Sequence, residues 1–367
     1  MSKTLNKGEW SEAYTLMKLL ADGKLYAADS DLNKINNIYY PLIKILRTEL
    51  LNNVTSNYEY LCDSSTNIKL VDGDTGNTII DIPVQEFKDT SLVFFRDIVA
   101  GRGRTFAVSQ DVEDFLTKLL ITKKSERSDR KRDITIVVHD VITGFKPELG
   151  FSIKSKIGKP ATLFNASGST HFIYKFEGSK VLSTTDLARI NSDSAIKDRI
   201  QSMIDEGFEI KFVKPQSTTF DLNMQMIDSN FPTVISQMLL YYYRGITQSH
   251  MDKLVAKLEQ DNPLNYNLSG NHPFYRYKIK NFLIDVSLGL MASEVWNGIY
   301  DANGGYIIVR DDGELVCYHI YNRDEFQEFL LKNTRLEQAD RGRHNFGTVY
   351  EENGEYKIKL NLQIRFR

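Results

Sequence analysis

From Lys357 to Arg367 apolar and polar residues alternate without a break: Ile358, Leu360, Leu362, Ile364 and Phe366 on one parity, Lys357, Lys359, Asn361, Gln363, Arg365 and Arg367 on the other. Only an extended strand puts every second side chain on one face, so this stretch demands a sheet with one buried and one cationic surface. The turn ahead of it is Asn353-Gly354, a pair that accepts the positive φ of a tight hairpin. A different period governs the region after Ser109, a suitable N-cap. There Val112, Phe115, Leu116, Leu119 and Leu120 follow the three-and-four spacing of a helix. A chain carrying both periods is of mixed α/β class.

Other signals fill in the order. Trp10 to Ala21 reads as a helix stopped by Gly23, and residues 67–83 read as a hairpin turning through 73–77, followed by a helix from Val84 to Val99. Gly101-Arg-Gly-Arg104 is a tight basic loop between two helices. In 122–132, Lys123, Lys124, Arg127, Arg130, Lys131 and Arg132 outnumber Glu126 and Asp129, which predicts an exposed connection. Strands are expected at 134–139, 151–156, 208–213 and 220–227, and helices at 194–206, 232–243, 250–260 and 275–290, with a hairpin across 311–313. The composition shift at 122–132 closes a first third of helices with a hairpin, after which a mixed α/β stretch and a C-terminal third of helices and hairpins follow.

The 367 residues are enough to bury a core without disulfide or metal staples. Cys62 and Cys317 are too few for a disulfide framework and lack zinc spacing, which favours a reducing, cytoplasmic setting. No apolar run is long enough for a membrane span, and residues 1–7 lack the apolar core of a signal peptide. The six histidines, His139, His171, His250, His272, His319 and His344, are scattered without ligand spacing. A net charge of −2 does not exclude a polyanionic partner, because what matters is whether cations gather on one surface.

One place joins acids to a lysine. Asp133 opens the strand Ile134-Thr-Ile-Val-Val138, and Ser152 and Lys154 emerge on one face of the strand that should pair with it. A lysine on a mostly apolar strand needs anionic company. Asp133, Asp140 and Glu148 are candidates, as is Glu12, which shares a helical stripe with Leu16, Leu19 and Leu20. Acids that hold a divalent cation beside a lysine are what metal-assisted phosphodiester cleavage requires.

Gly8-Glu-Trp-Ser-Glu12, Lys131-Arg-Asp-Ile-Thr-Ile136, Gly150-Phe-Ser-Ile-Lys-Ser155, Phe164-Asn-Ala-Ser167 with Thr170 and Phe172, Arg343-His344 and Leu360-Asn-Leu-Gln-Ile-Arg-Phe366 together resemble the HpaII family of restriction endonucleases. No one motif is specific, but their joint order spans residues 8–366. The resemblance implies a PD-(D/E)XK nuclease core, a mixed central sheet flanked by helices, with additional DNA-binding elements. It implies a type II restriction endonuclease that hydrolyses double-stranded DNA with Mg²⁺ at a short palindromic site, CCGG. By the same likeness Asp133 is the first metal-binding acid, Lys154 the active-site lysine, and Glu12 the helix glutamate that many such nucleases add. The core then falls in 133–230, Glu12 reaches it from 1–132, and DNA recognition lies in 231–367.

The sequence departs from that pattern at Ser152, where the second acid is expected two residues before the lysine. A hydroxyl is a poor Mg²⁺ ligand beside a carboxylate, so metal binding must lean on Glu12, Asp133 or a relocated acid such as Glu148. Candidate DNA contacts are Arg102 and Arg104, Asn165, Ser167 and Thr170, and Arg341, Arg343 and His344, because arginine forks and short polar side chains read base edges. Implied partners are a second copy of the chain and a cognate cytosine methyltransferase that protects the host. The rival readings are a MutH-like nicking enzyme and a non-catalytic DNA-binding protein with a degenerate nuclease core, and Ser152 is the feature that favours degeneracy.

Overall fold

The computed structural model describes residues 4–51, 54–62, 65–121, 131–141 and 144–367. The chain starts with α1 (Lys7–Asp22), whose Asn6 and Glu9 form a reciprocal capping box and whose end is set by Gly23 in the left-handed region, φ 64°. Then come β1 (Lys24–Ala28), β2 (Lys34–Leu51), β3 (Val54–Leu61), β4 (Asn67–Asp72), β5 (Thr78–Pro83), α2 (Val84–Ala100), α3 (Gln110–Lys118), β6 (Ile134–Val138) and β7 (Glu148–Ser155). The middle of the chain holds β8 (Thr162–Phe164), β9 (His171–Glu177), α4 (Thr184–Ser192), α5 (Ile196–Asp205), β10 (Glu209–Pro215), α6 (Thr218–Ile227), α7 (Phe231–Tyr243), α8 (Met251–Asp261) and α9 (Phe274–Leu288). The rest is β11 (Gly305–Val309), β12 (Leu315–His319), α10 (Arg323–Asn333), β13 (Thr334–Leu336), α11 (Arg341–His344), β14 (Val349–Glu352), β15 (Glu355–Asn361) and β16 (Ile364–Phe366).

Two compact units result, one from residues 1–161 with 300–329, the other from 162–299 with 330–367. They do not follow the three consecutive segments expected from the sequence, because strands far apart in sequence share a sheet. In the first unit that sheet has the order β1-β12-β11-β7-β6-β2-β3-β4-β5, with a further pairing of β1 to β2. The pairs β1–β12 and β11–β7 are parallel and the others antiparallel, so the sheet is mixed. Helices α1 and α2 pack together through Phe94, whose ring meets Trp10 and Tyr14 edge-on at 5.7 and 5.9 Å.

The second unit has a sheet β10-β9-β15-β14 and a smaller one, β13-β16-β8. The alternating C-terminal stretch crosses from the first to the second between β15 and β16, and Ile358, Leu360, Leu362, Ile364 and Phe366 are all buried. The opposite parity is not the free cationic face expected. Lys357 is paired with Glu352 and Glu355 at 3.1 and 2.9 Å, Arg365 with Glu337 at 2.8 Å, and Asn361 is buried.

Residues 220–227, expected as a strand, lie in α6. The Ser217 side chain caps it at the Phe220 N–H, and the buried set is Phe220, Asn223 and Met224, a helical spacing. Of the basic connection, 122–130 lies outside the described residues, while Lys131 and Arg132 are half-buried rather than exposed. No helix among the described residues is long and apolar enough to cross a membrane.

Candidate active site

Antiparallel pairing of β6 with β7 sets Ile134 opposite Phe151, and the Asp133 N–H extends the ladder to the Phe151 carbonyl at 2.8 Å. Asp133 therefore sits beside Ser152. Its Oδ2 accepts from the Ile153 N–H at 2.7 Å and from the Ser152 hydroxyl at 3.0 Å. Lys154, two residues on and on the same strand face, donates from Nζ to Ser152 Oγ at 2.8 Å and lies 3.9 Å from Asp133 Oδ2. The serine that replaces the expected acid thus joins lysine to aspartate, accepting from one and donating to the other. The neighbouring parallel strand β11 places Tyr306 opposite Ser152, and Lys154 Nζ stands 5.3 Å from the centre of its ring.

Three side chains fix helix α1 in place, one of them on β7 itself. The Ser11 and Ser155 hydroxyls share a 2.9 Å hydrogen bond, the Trp10 indole N–H donates to the Phe106 carbonyl at 2.9 Å, and the Tyr14 hydroxyl donates to the Gly313 carbonyl at 2.7 Å. Glu12 follows Ser11 directly. Its Oε2 is buried and has no hydrogen-bond partner among the described residues. Burial, and after it the negative charge of Asp133, push the Glu12 carboxyl up to about 8, while Lys154 and Arg47 act in the opposite sense. Lys131 is coupled to the same site. Burial first, then the charge of Lys154, bring its ammonium down to about 8 against the pull of Asp133 and Asp301.

Two acids that repel each other, one with a buried oxygen lacking a donor among the described residues, fit a divalent cation. Among the described residues no group of three histidine, cysteine or acidic side chains is arranged to hold a metal. Two carboxylates still suit Mg²⁺, which keeps most of its waters and commonly binds through one or two acids plus a phosphate. The other acids raised by the sequence are not brought here. Glu148 starts β7, about 20 Å of strand from Lys154 at 3.3 Å per residue, and Asp140 lies beyond the far end of β6 from Asp133.

The HpaII restriction endonuclease family model matches residues 6–366. A "Type II restriction enzyme HpaII" of Haemophilus parainfluenzae is 43% identical over 362 residues, covering 98% of each chain. The chain belongs to the HpaII restriction endonuclease family. No solved structure matches it. As a member of the HpaII family it is a site-specific deoxyribonuclease, and phosphodiester hydrolysis is the chemistry against which the cluster of Glu12, Asp133, Ser152 and Lys154 is weighed.

The candidate DNA contacts of this HpaII-family enzyme divide between the units. Arg102 and Arg104 are exposed on the loop between α2 and α3 in the first. The remainder belong to the second. Asn165 and Arg343 are exposed, and Ser167, Arg341 and His344 are half-buried. Thr170 drops out of the set because it is fully buried, with its hydroxyl accepting from the Ser167 N–H at 3.0 Å and from Asn361 Nδ2 at 3.0 Å. It shapes the 3₁₀ turn 168–170 rather than facing a groove. Arg47, Lys131 and Tyr306 are the neighbours that the sequence did not reveal. Lys131 is hidden in the sequence by a run of charges, whereas Arg47 and Tyr306 carry no local signal because long-range strand pairing brings them in.

Proposed function

We propose that this chain is a Mg²⁺-dependent type II restriction endonuclease that cuts both strands of duplex DNA at CCGG, with Glu12 and Asp133 holding the metal and Lys154 acting at the scissile phosphate. The observation that carries the residue assignment is the chain of hydrogen bonds from Lys154 through Ser152 to Asp133, beside a buried Glu12 oxygen without a donor. The sequence CCGG rests on the family resemblance.

Mg²⁺, when bound, supplies positive charge that polarises the phosphoryl group. The chain's own residues do the rest. Asp133 is held by the Ile153 N–H and the Ser152 hydroxyl through Oδ2, leaving Oδ1 without a hydrogen bond from the described residues. Glu12 gives the second carboxylate from a helix anchored on β7. Lys154 is oriented by Ser152, and its remaining N–H groups hold the attacking water and offset charge developing on the phosphate oxygens. Lys131 adds positive potential where a polyanion must approach two acids, whereas Arg47 is paired with the buried Glu49. Arg102, Arg104, Asn165, Ser167, Arg341, Arg343 and His344 are the base-edge candidates. A second copy of the chain, needed to cut both strands of a palindrome in concert, a protecting cytosine methyltransferase and a cytoplasmic location belong to the same reading.

The test is digestion of a fully sequenced plasmid with the purified enzyme and Mg²⁺, followed by sequencing of the fragment ends. Double-strand ends at every CCGG are expected. Nicked circles without linear product would favour the MutH-like reading. Sequence-specific binding without any cut would favour a degenerate nuclease.

A further inference from the structure

A cavity of about 480 Å³ in the second unit is lined by Arg199 of α5 and, from the segment after β13, by Asp340, Arg341, Asn345, Phe346 and Thr348. The two arginines meet across Gly347. A side chain at Gly347 would lie 2.5 Å from the Ile196 side chain of α5 and 3.6 Å from Arg341 Cδ, and φ there is +79°. Only glycine lets α5 press this close while keeping the left-handed turn. The Gly347 carbonyl in turn accepts from Arg199 Nη1 at 2.7 Å, and the Asp193 carbonyl accepts from Arg199 Nε at 2.9 Å, which fixes that guanidinium.

Neither guanidinium has a carboxylate within ion-pair distance among the described residues. Arg341 Nη1 is buried with no hydrogen-bond partner among the described residues. Asp340, the acid lining the cavity, accepts the Arg343 N–H at 2.8 Å as the N-cap of α11. Burial and the positive charge of Arg341 weaken the hold of Arg199 on its proton, opposed by Asp193. Two half-buried cations lining one cavity, with no carboxylate paired to either among the described residues, favour an anion there. A base edge is the poorer fit, since guanine readout uses a free two-pronged fork and Arg199 already has two nitrogens bonded to carbonyls. Short-range charge with a few N–H groups suits a phosphate.

We infer that Arg199 and Arg341 form a seat for one phosphodiester of bound DNA. This rests on the proposed DNA-cutting function and moves Arg341 from the base readers to the backbone contacts.

The test measures binding in Ca²⁺ to a duplex carrying the mapped cleavage site and to a scrambled duplex, across a salt series. Arg341→Ala should weaken both by roughly 10- to 100-fold, the range of a lost charged hydrogen bond. The log–log salt slope should fall by about one. Replacing single phosphates by neutral methylphosphonates should identify one position at which wild type weakens and Arg341→Ala does not weaken further. Arg199→Ala should lose affinity at that same phosphate. If it unfolds for want of its two carbonyl bonds, Arg341→Ala decides alone.

Loss on the cleavage-site duplex only would make Arg341 a base reader and overturn the seat, as would unchanged affinity and slope. A rise in Tm with inorganic phosphate that Arg341→Ala abolishes, without any effect on DNA binding, would mark a small-anion site and also overturn it. If the wild type fails to cut DNA, the proposed function falls. If it cuts and Arg341→Ala binds normally, only the seat falls.

Discussion

Replacing Glu12 by glutamine should stabilise the metal-free enzyme, and by an amount that grows with pH. The carboxyl is raised from 4.5 to about 8 in the fold. Between those values the folded state keeps a proton that the unfolded chain has released, so stability falls as pH rises through that window. Glutamine has no such proton. At 1.36 kcal/mol per tenfold shift, the glutamate costs about 1 kcal/mol relative to glutamine at pH 5 and about 5 kcal/mol above pH 8. For a unit of this size each kcal/mol moves Tm by about 2–3 °C. Thermal unfolding in EDTA should therefore show Glu12→Gln about 2 °C more stable than wild type at pH 5 and roughly 10 °C more stable at pH 9. Adding Mg²⁺ at pH 9 should raise wild type and leave Glu12→Gln nearly unmoved, while cleavage by the variant falls and recovers in part with Mn²⁺. A Tm difference that is the same at pH 5 and pH 9 would refute the burial of an ionisable Glu12 beside Asp133. A Mg²⁺ response unchanged by the substitution would refute its role as a ligand.

Asp133→Asn and Lys154→Ala should each lower cleavage by at least roughly 100-fold, the scale of losing a preorganised electrostatic group. Both should still bind DNA in a gel-shift assay. Near-normal turnover by either would remove that residue from the site. Ser152→Ala should keep the fold and cut more slowly, because Lys154 loses its 2.8 Å acceptor, with the loss in kcat rather than KM from a substrate titration. Ser152→Glu should lessen the damage done by Glu12→Gln in the double variant, and an additive loss would show that the two acids are not interchangeable. Gly305→Ala should destabilise by at least about 3 kcal/mol in denaturant unfolding. Its Cβ would fall 2.0 Å from the Tyr318 carbonyl oxygen at φ +110°, next to the Tyr306 ring under Lys154.

Elements with a strong local period were legible in the sequence. Helix α1 and its glycine stop, the hairpin of β4 and β5, strands β6 and β7, and the inward parity of β15 and β16 depend on neighbours within a few residues. The same local logic put Asp133 at the mouth of one strand and Ser152 with Lys154 on one face of the next. Where two periods compete over a short window, as in residues 218–227, an N-capping serine and the burial of one face outweighed the apparent alternation.

Local rules are silent on what a side chain meets from elsewhere. Parallel pairing of β11 with β7 put Tyr306 beneath Lys154, and packing of α1 on β7 brought Glu12 to Asp133 with an oxygen that no donor among the described residues reaches. Asn361 claimed the Thr170 hydroxyl, glutamates claimed Lys357, and the approach of α5 to Gly347 set Arg199 beside Arg341. The sequence by itself determined which residues could do this chemistry, because side-chain type and strand parity are local properties. Only tertiary structure decided which of them act together, because burial and charge coupling depend on distances that long-range packing sets.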